Sequence, residues 1–341
     1  MKPFPVCRSW PVACSLAAAA LALPTIAQAQ AVQVGGQIRL TVNRVQTGHQ
    51  SAVKELRDNA SRLSFRGTED LGDGLRAQFG LEMGFNADSG ELTSPAYRYS
   101  YVALGGAFGT LALGRLDSGN PTGSPLYSQV TAITTFAAND AGATAIGTSM
   151  LNSRNRTSNS IGYRSPAFGG AELMARYYWR GAGTAAEAED DARSLDLGVL
   201  YRAGPVIAGL GYAKDARSGG LKTNELDDKW QAGLRFDAGD IEPYVLFGVD
   251  RYRATASTRR DVKFAIVGAL AKRGQHSVVL NLLQRDVQAN RSGERKRWQA
   301  AWLYALSKRT ELQAFADSDG IDSTKSDVRV RAIGAGIKHV F

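Results

Sequence analysis

Apolar and polar side chains alternate along most of this chain with a period of two, in short runs separated by turn-forming residues. Period two marks a β-strand with unlike faces. Leu75, Ala77, Phe79, Leu81 and Met83 alternate with Arg76, Gln78 and Glu82. Leu173, Ala175, Tyr177 and Trp179 alternate with Met174, Arg176 and Tyr178. The same pattern recurs at Leu195 to Tyr201, Trp230 to Phe236 and Trp298 to Leu306. Alternation alone fits a soluble sandwich with one wet face, or a membrane barrel with lipid outside and water inside.

Three features favour the barrel. Aromatics gather at strand ends (Tyr97, Tyr99, Trp179, Trp230, Trp298, Tyr304), as expected at a water–lipid boundary. The connections alternate in length. Short turns fall at 71–74, 105–107, 166–170, 203–204, 237–240, 272–275 and 307–308. Long connections fall near 46–60, 88–96, 116–155, 180–193, 214–228, 250–262, 284–295 and 319–327. Seven short and eight long connections imply sixteen strands, with both ends on the short-turn side. Finally, Ile333, Ala335, Ile337, His339 and Phe341 share one face of a last strand, where Phe341 would serve the barrel-assembly machinery as a recognition signal. The expected fold is all-β: a sixteen-stranded antiparallel transmembrane barrel.

Residues 1–29 look like a signal peptide. Lys2 and Arg8 are positive, 12–23 is apolar, and Ala27-Gln28-Ala29 is a small-x-small cleavage site. The mature domain is then 30–341. Both cysteines, Cys7 and Cys14, lie in the leader, which excludes disulfides and thiol chemistry from the mature domain. Removing Lys2 and Arg8 from 41 basic residues leaves 39 against 32 acidic, a net +7. No long apolar run follows the leader, which excludes transmembrane helices but not transmembrane strands.

Several segments resemble the trimeric general porins of Gram-negative outer membranes, most closely the betaproteobacterial branch. They are Ser61 to Gly72 (SRLSFRGTEDLG), Gly74-Leu75, Tyr101 to Leu104, Phe108 to Leu111, Leu113-Gly114-Arg115, Asn159-Ser160-Ile161, Ser165-Pro166, Phe168-Gly169-Gly170 and the closing Gly336 to Phe341. The resemblance spans the mature chain. It implies a homotrimer and a third external loop folded into the lumen, here about 116–155. It also implies an outer-membrane channel for passive diffusion of small hydrophilic solutes, not an enzyme. In that family basic wall residues face acidic loop residues. Arg62, Arg98 and Arg156 match the basic ladder, and Asp117 and Asp140 are the acidic loop positions.

Alternation independently puts Arg62 and Arg98 on polar faces, the latter with Tyr97, Tyr99 and Tyr101 turned to lipid. Arg156 shares a face with Ser158, Ser160 and Arg164, and Arg39, Arg66 and Arg76 also point inward. The family's acidic Pro-Glu-Phe-Gly loop motif is absent, and Arg39 stands where many relatives carry an acid. Three arginines about 6 Å from a passing anion would give about 2 kcal/mol before screening, hence modest anion preference.

No cofactor or metal is expected, since His49, His276 and His339 are scattered and the acidic run 187–191 lacks calcium-loop spacing. Basic pairs such as Arg259-Arg260 suit lipopolysaccharide and outer-membrane lipids rather than nucleic acid in this compartment.

Overall fold

The structure, a computed structural model, describes residues 32–119, 121–135, 151–287, 293–323 and 326–341. The strands begin with β1 (Gln33–Thr47), β2 (Val53–Asp58), β3 (Arg62–Gly72), β4 (Leu75–Phe85), β5 (Leu92–Gly106) and β6 (Gly109–Leu116). After helix α1 (Tyr127–Ile133) come β7 (Thr157–Arg164), β8 (Ala171–Trp179), β9 (Ala192–Ala203), β10 (Val206–Arg217) and β11 (Leu226–Phe236). The last six are β12 (Ile241–Arg253), β13 (Arg259–Arg273), β14 (His276–Asp286), β15 (Gly293–Ala305), β16 (Thr310–Ser323) and β17 (Ser326–Val340).

Each strand pairs antiparallel with its neighbours, and β17 returns to β1 with Gln37 opposite Val340. Closure removes the exposed edges that an open sheet would leave. The strands β2 and β3 both pair with β1, through Leu40–Val45 and Gln33–Gln37 respectively. They are one barrel strand broken at 59–61, so the seventeen segments make the sixteen staves that the connection count predicts.

The two faces follow the alternation. Leu195, Leu197, Val199 and Tyr201 are exposed on the outside, while Asp196 is fully buried inside. Leu173 is exposed, and Met174, Arg176 and Tyr178 are buried. No helix among the described residues is long and apolar enough to cross a membrane; the apolar belt is carried by strands.

Two expectations need correction. The long connections are shorter than the apolar cue implies, because the strands continue past the belt: β10 reaches Arg217 and β11 starts at Leu226, and β12 reaches Arg253 with β13 starting at Arg259. Charged residues stand on both faces there, as at Lys214-Asp215 and Asp250-Arg251, so apolar alternation stops while the backbone ladder goes on. Ion pairs such as Arg217–Glu225 (2.7 Å) and Arg251–Asp228 (2.8 Å) join these extensions. The second correction is Tyr99 and Tyr101. Glu82 lies opposite Tyr99 but Met83 lies opposite Tyr97, so Arg98 is an extra residue in a β-bulge. The bulge lets Arg98, Tyr99 and Tyr101 all face inward, and Tyr99 is buried. Tyr97 alone of the three is turned outward and exposed.

Candidate functional site

The three ladder arginines come from different parts of the wall. Arg62 opens β3, Arg98 occupies the bulge in β5, and Arg156 ends the long connection before β7. Arg62 is within electrostatic reach of Arg98, Arg156, Glu82 and Asp117, so these groups form one cluster. Glu82 is buried at its centre. It accepts from Arg98 Nε at 2.7 Å and lies 3.5 Å from Arg62 Nε. Arg156 Nε donates to Asp117 Oδ2 at 2.8 Å.

Two carboxylates sit among the three arginines, the connection's Asp117 and, in addition, Glu82. Sequence reasoning placed Glu82 on the inner face but gave it no role. The strand pairing supplies one, since Ser64 of β3 lies opposite Glu82 and Glu82 lies opposite Tyr99 of β5. Arg115 lies nearby, in the outward row of Leu81 and Ser100. It donates to Ser158 Oγ at 2.7 Å and feels both Arg156 and Asp117.

Asp117 lies outside the strands. Burial would raise its pKa, but Arg156, the Gly119 N–H and the Ser118 hydroxyl together hold it below the usual carboxylate range. Asp140 lies outside the described residues.

The other inward candidates are spread along the barrel. Arg39 donates to Gln313 Oε1 at 3.1 Å, and Arg66 Nε donates to the Tyr99 hydroxyl at 2.8 Å. Arg76, opposite Gly105 near a short turn, is exposed. Arg164 forms a two-pronged pair with Glu172 at 2.7 and 2.6 Å, also near a short turn. Arg66 also feels Glu82 of the Arg62 cluster, while Arg164 pairs with Glu172 away from it. The Phe341 backbone exchanges hydrogen bonds with Gly36 at 2.9 and 3.1 Å. Among the described residues, no group of His, Cys, Asp and Glu is arranged to hold a metal.

The long connection after β6 is held by the inner wall. Helix α1 lies against β10–β12 on the face opposite exposed Leu210 and Leu234. Glycines make room for it. A Cβ on Gly211 would come within 2.8 Å of Leu126 Cδ2, and one on Gly209 within 2.9 Å of Gln129 Cγ. Val130, Ile133 and Leu151 then pack against Leu246, Phe264, Ile266 and Leu283.

Wall side chains donate to the connection's backbone carbonyls. Arg176, fully buried, donates to the carbonyls of Asp117 (2.9 Å), Gly123 and Asn155. Gln231 donates to Leu126 O at 2.8 Å, and Asn281 and Tyr244 donate to Thr135 O at 2.8 and 2.9 Å. Lys229 donates to Leu151 O at 2.7 Å and Asn152 O at 2.9 Å. On the return, Arg154 inserts between Asp196 (2.7 Å) and Asp215 (2.6 Å). Burial opposes its charge, yet Asp196, the Tyr178 hydroxyl and Asp215 raise its pKa.

Comparisons with known proteins agree with this geometry. A family profile described as Gram-negative porin matches residues 15–323. An outer membrane porin protein of Bordetella pertussis is 27% identical over 321 residues, covering 83% of each chain. Outer membrane porin protein 32 of Delftia acidovorans is 30% identical over 264 residues, covering 74% of this chain and 72% of that one. Among solved structures, an anion-selective porin from Comamonas acidovorans superposes with a TM-score of 0.71 at 24% identity, covering 92% of this chain and 100% of that one. A trimer form of OmpT from Vibrio cholerae gives 0.67 at 12% identity, covering 92% and 99%.

Proposed function

The chain belongs to the Gram-negative porin family, and from that premise we propose how its pore selects solutes. It is an outer-membrane porin, a water-filled channel for passive diffusion of small hydrophilic solutes, and not an enzyme. Our reading is that the connection between β6 and β7 is the constriction, and that Arg62, Arg98 and Arg156 line it opposite.

The observation that carries the reading is the charge count of one cluster. Among the described residues, Arg62, Arg98 and Arg156 are gathered with Glu82 and Asp117, a surplus of +1. At about 6 Å in water that uncompensated charge gives an anion about 0.7 kcal/mol before salt screening. That supports modest anion preference, smaller than three bare arginines would give. The name of the Comamonas structure points the same way.

We extend the reading to the remaining parts of the chain. Residues 1–29 act as a cleaved signal peptide and 30–341 as the mature barrel. The barrel works as a homotrimer among lipopolysaccharide and outer-membrane lipids, and Phe341 is its assembly signal.

Reversal potentials of single channels in a potassium chloride gradient test the pore. Wild type should prefer chloride, and R62Q, R98Q and R156Q should each lower that preference. Cation preference in the wild type would reject the assignment of the cluster to the constriction.

A further inference from the structure

A glycine inside a strand gives up side-chain packing, and it often marks a place where another group comes close. Among the described residues, four rings inside the barrel stand directly opposite a glycine of the neighbouring strand. The pairs are Tyr101 with Gly80, Phe315 with Gly334, Tyr244 with Gly268 and Phe264 with Gly248. In each pair the ring lies over the glycine. A Cβ on the glycine would come within 2.5 Å of Tyr101 Cε1, 2.6 Å of Phe315 Cε1 and 2.7 Å of Phe264 Cζ, and closer still to Tyr244 Cε2.

Three of these rings are covered. The Tyr244 hydroxyl donates to Thr135 O, and Phe264 shares a cluster with Val130, Ile133 and Leu151 of the connection. Phe315 is buried among Leu270, Val279, Ala301 and Ala332. Tyr101 is only partly covered, and it stands beside the Arg62 cluster. Its ring centroid is 5.6 Å from that of Tyr99, which lies opposite Glu82. Its far edge crosses Gly80, with Cζ at 2.6 Å and the hydroxyl at 2.7 Å from the Cβ position, towards Arg66 on β3.

We propose that Gly80 and Tyr101 set the size limit of the pore. The glycine lets the ring lie against the wall, and the height of the ring above the wall decides how large a neutral solute passes. The proposal rests on the reading of the Arg62 cluster as the constriction. Carbon atoms in ordinary contact are about 3.5–4.0 Å apart, so even a methyl group at residue 80 must lift the ring edge by about 1 Å. Tyr99 flanks the ring on one side and the buried Ala103, Ala112 and Leu116 on another, so the lifted ring moves into the lumen. Neither side chain of the pair is charged, and the Glu82 contacts to Arg62 and Arg98 do not involve them. Alternate residues of a strand lie about 6.8 Å apart, so size and charge are read at neighbouring but separate levels of β5.

The test uses the full mature barrel in liposomes. Swelling rates are measured for arabinose, glucose, sucrose and raffinose, neutral sugars of increasing size, and reversal potentials are measured on the same preparations. G80A should lower the raffinose-to-arabinose rate ratio about twofold, and G80V should lower it further. Y101A should raise the ratio, and G80V/Y101A should follow Y101A, because the glycine acts only through the ring. The chloride-to-potassium ratio should move far less in these variants than in R62Q. An unchanged sugar ratio in Y101A would overturn the proposal, even where a glycine variant fails to fold. So would a double variant that follows G80V. A lowered melting temperature in G80A with wild-type sugar rates would also overturn it, leaving the ring as a cover for bare backbone. R62Q separates the two readings. If it leaves the reversal potential unchanged, the constriction reading falls and the size limit with it. If it shifts the potential while G80A and Y101A keep wild-type sugar rates, only the size limit is rejected.

Discussion

Replacing Glu82 by glutamine should make the pore more anion-selective. The carboxylate lies 2.7 Å from Arg98 and 3.5 Å from Arg62, so it offsets charge at the centre of the cluster. Glutamine keeps the shape and one oxygen acceptor while removing the charge. A solute ion about 6 Å away then feels one more uncompensated positive charge, worth about 0.7 kcal/mol in water. With a Debye length of about 8 Å at physiological salt, roughly half of that survives. An anion gains about 0.3 kcal/mol and a cation loses the same, so the chloride-to-potassium permeability ratio should rise about threefold. In dilute salt the rise should approach tenfold. Reversal potentials at two mean salt concentrations measure both values. An unchanged or lowered ratio in E82Q would refute the placement of this cluster at the narrowest part of the pore. E172Q is the comparison. Glu172 is paired with Arg164 and Arg202 near a short turn, so its loss should shift the ratio much less.

Other consequences follow from the way the long connection is held. A valine at Gly209 puts carbon where Gln129 Cγ lies 2.9 Å and Ile133 Cδ1 3.2 Å from a Cβ, so G209V should displace α1 and give noisy, enlarged single-channel steps; steps like those of wild type would show that α1 does not limit the pore. R176M strips donors from three carbonyls, at about 1–3 kcal/mol for each one left dry. Proteolysis within 117–156 should accelerate in R176M, while the barrel's melting temperature falls by only a few degrees because the strand ladder is untouched. Through Asp117, acid should raise anion preference only below the usual carboxylate range, because Arg156 and two hydrogen bonds hold its pKa down. Its folded pKa is depressed, so the Arg156 pair stabilises the connection above the unfolded carboxylate value and loses that contribution as pH falls through the folded one. Reversal potentials at pH 7, 5 and 3 check this in wild type and D117N, and a transition midpoint above pH 5 that vanishes in D117N would contradict it.

Strand number, barrel closure and the two faces were legible because period two follows directly from the pleat, and the membrane punishes its violation on the outer side. The cue failed where that penalty is absent. Beyond the belt charged residues stand on both faces, so the extensions ending at Arg217 and Arg253 look like loops. At Arg98 a single inserted residue changes the face of everything after it, and alternation counted through the bulge sends Tyr99 the wrong way. Glu82 was placed on the correct face, but only the pairing of β3, β4 and β5 shows that it lies between two arginines. Residues far apart in sequence acquire a shared charge balance through register, which no single strand displays.

The seat of the connection did leave a trace in the sequence. A strand with lipid outside and water inside should be apolar on alternate residues, yet Tyr244-Val245-Leu246-Phe247 and Phe264-Ala265-Ile266-Val267 are apolar on both faces. A strand apolar on both faces is covered on both. Leu246, Phe264 and Ile266 are covered from inside by Val130, Ile133 and Leu151. The connection itself is made of small, mostly uncharged residues, and its tether is largely its backbone: the carbonyls at Asp117, Gly123, Leu126, Thr135, Leu151, Asn152 and Asn155 accept from wall side chains. Connection side chains add to this hold at Arg154, Val130, Ile133 and Leu151, and the wall's share rests on Arg176, Lys229, Gln231 and Asn281. On the proposed reading of the pore, its charge and the anchorage of the connection fall to different wall residues. Selectivity can then be altered at Arg62, Glu82 or Arg98 with the connection still in place.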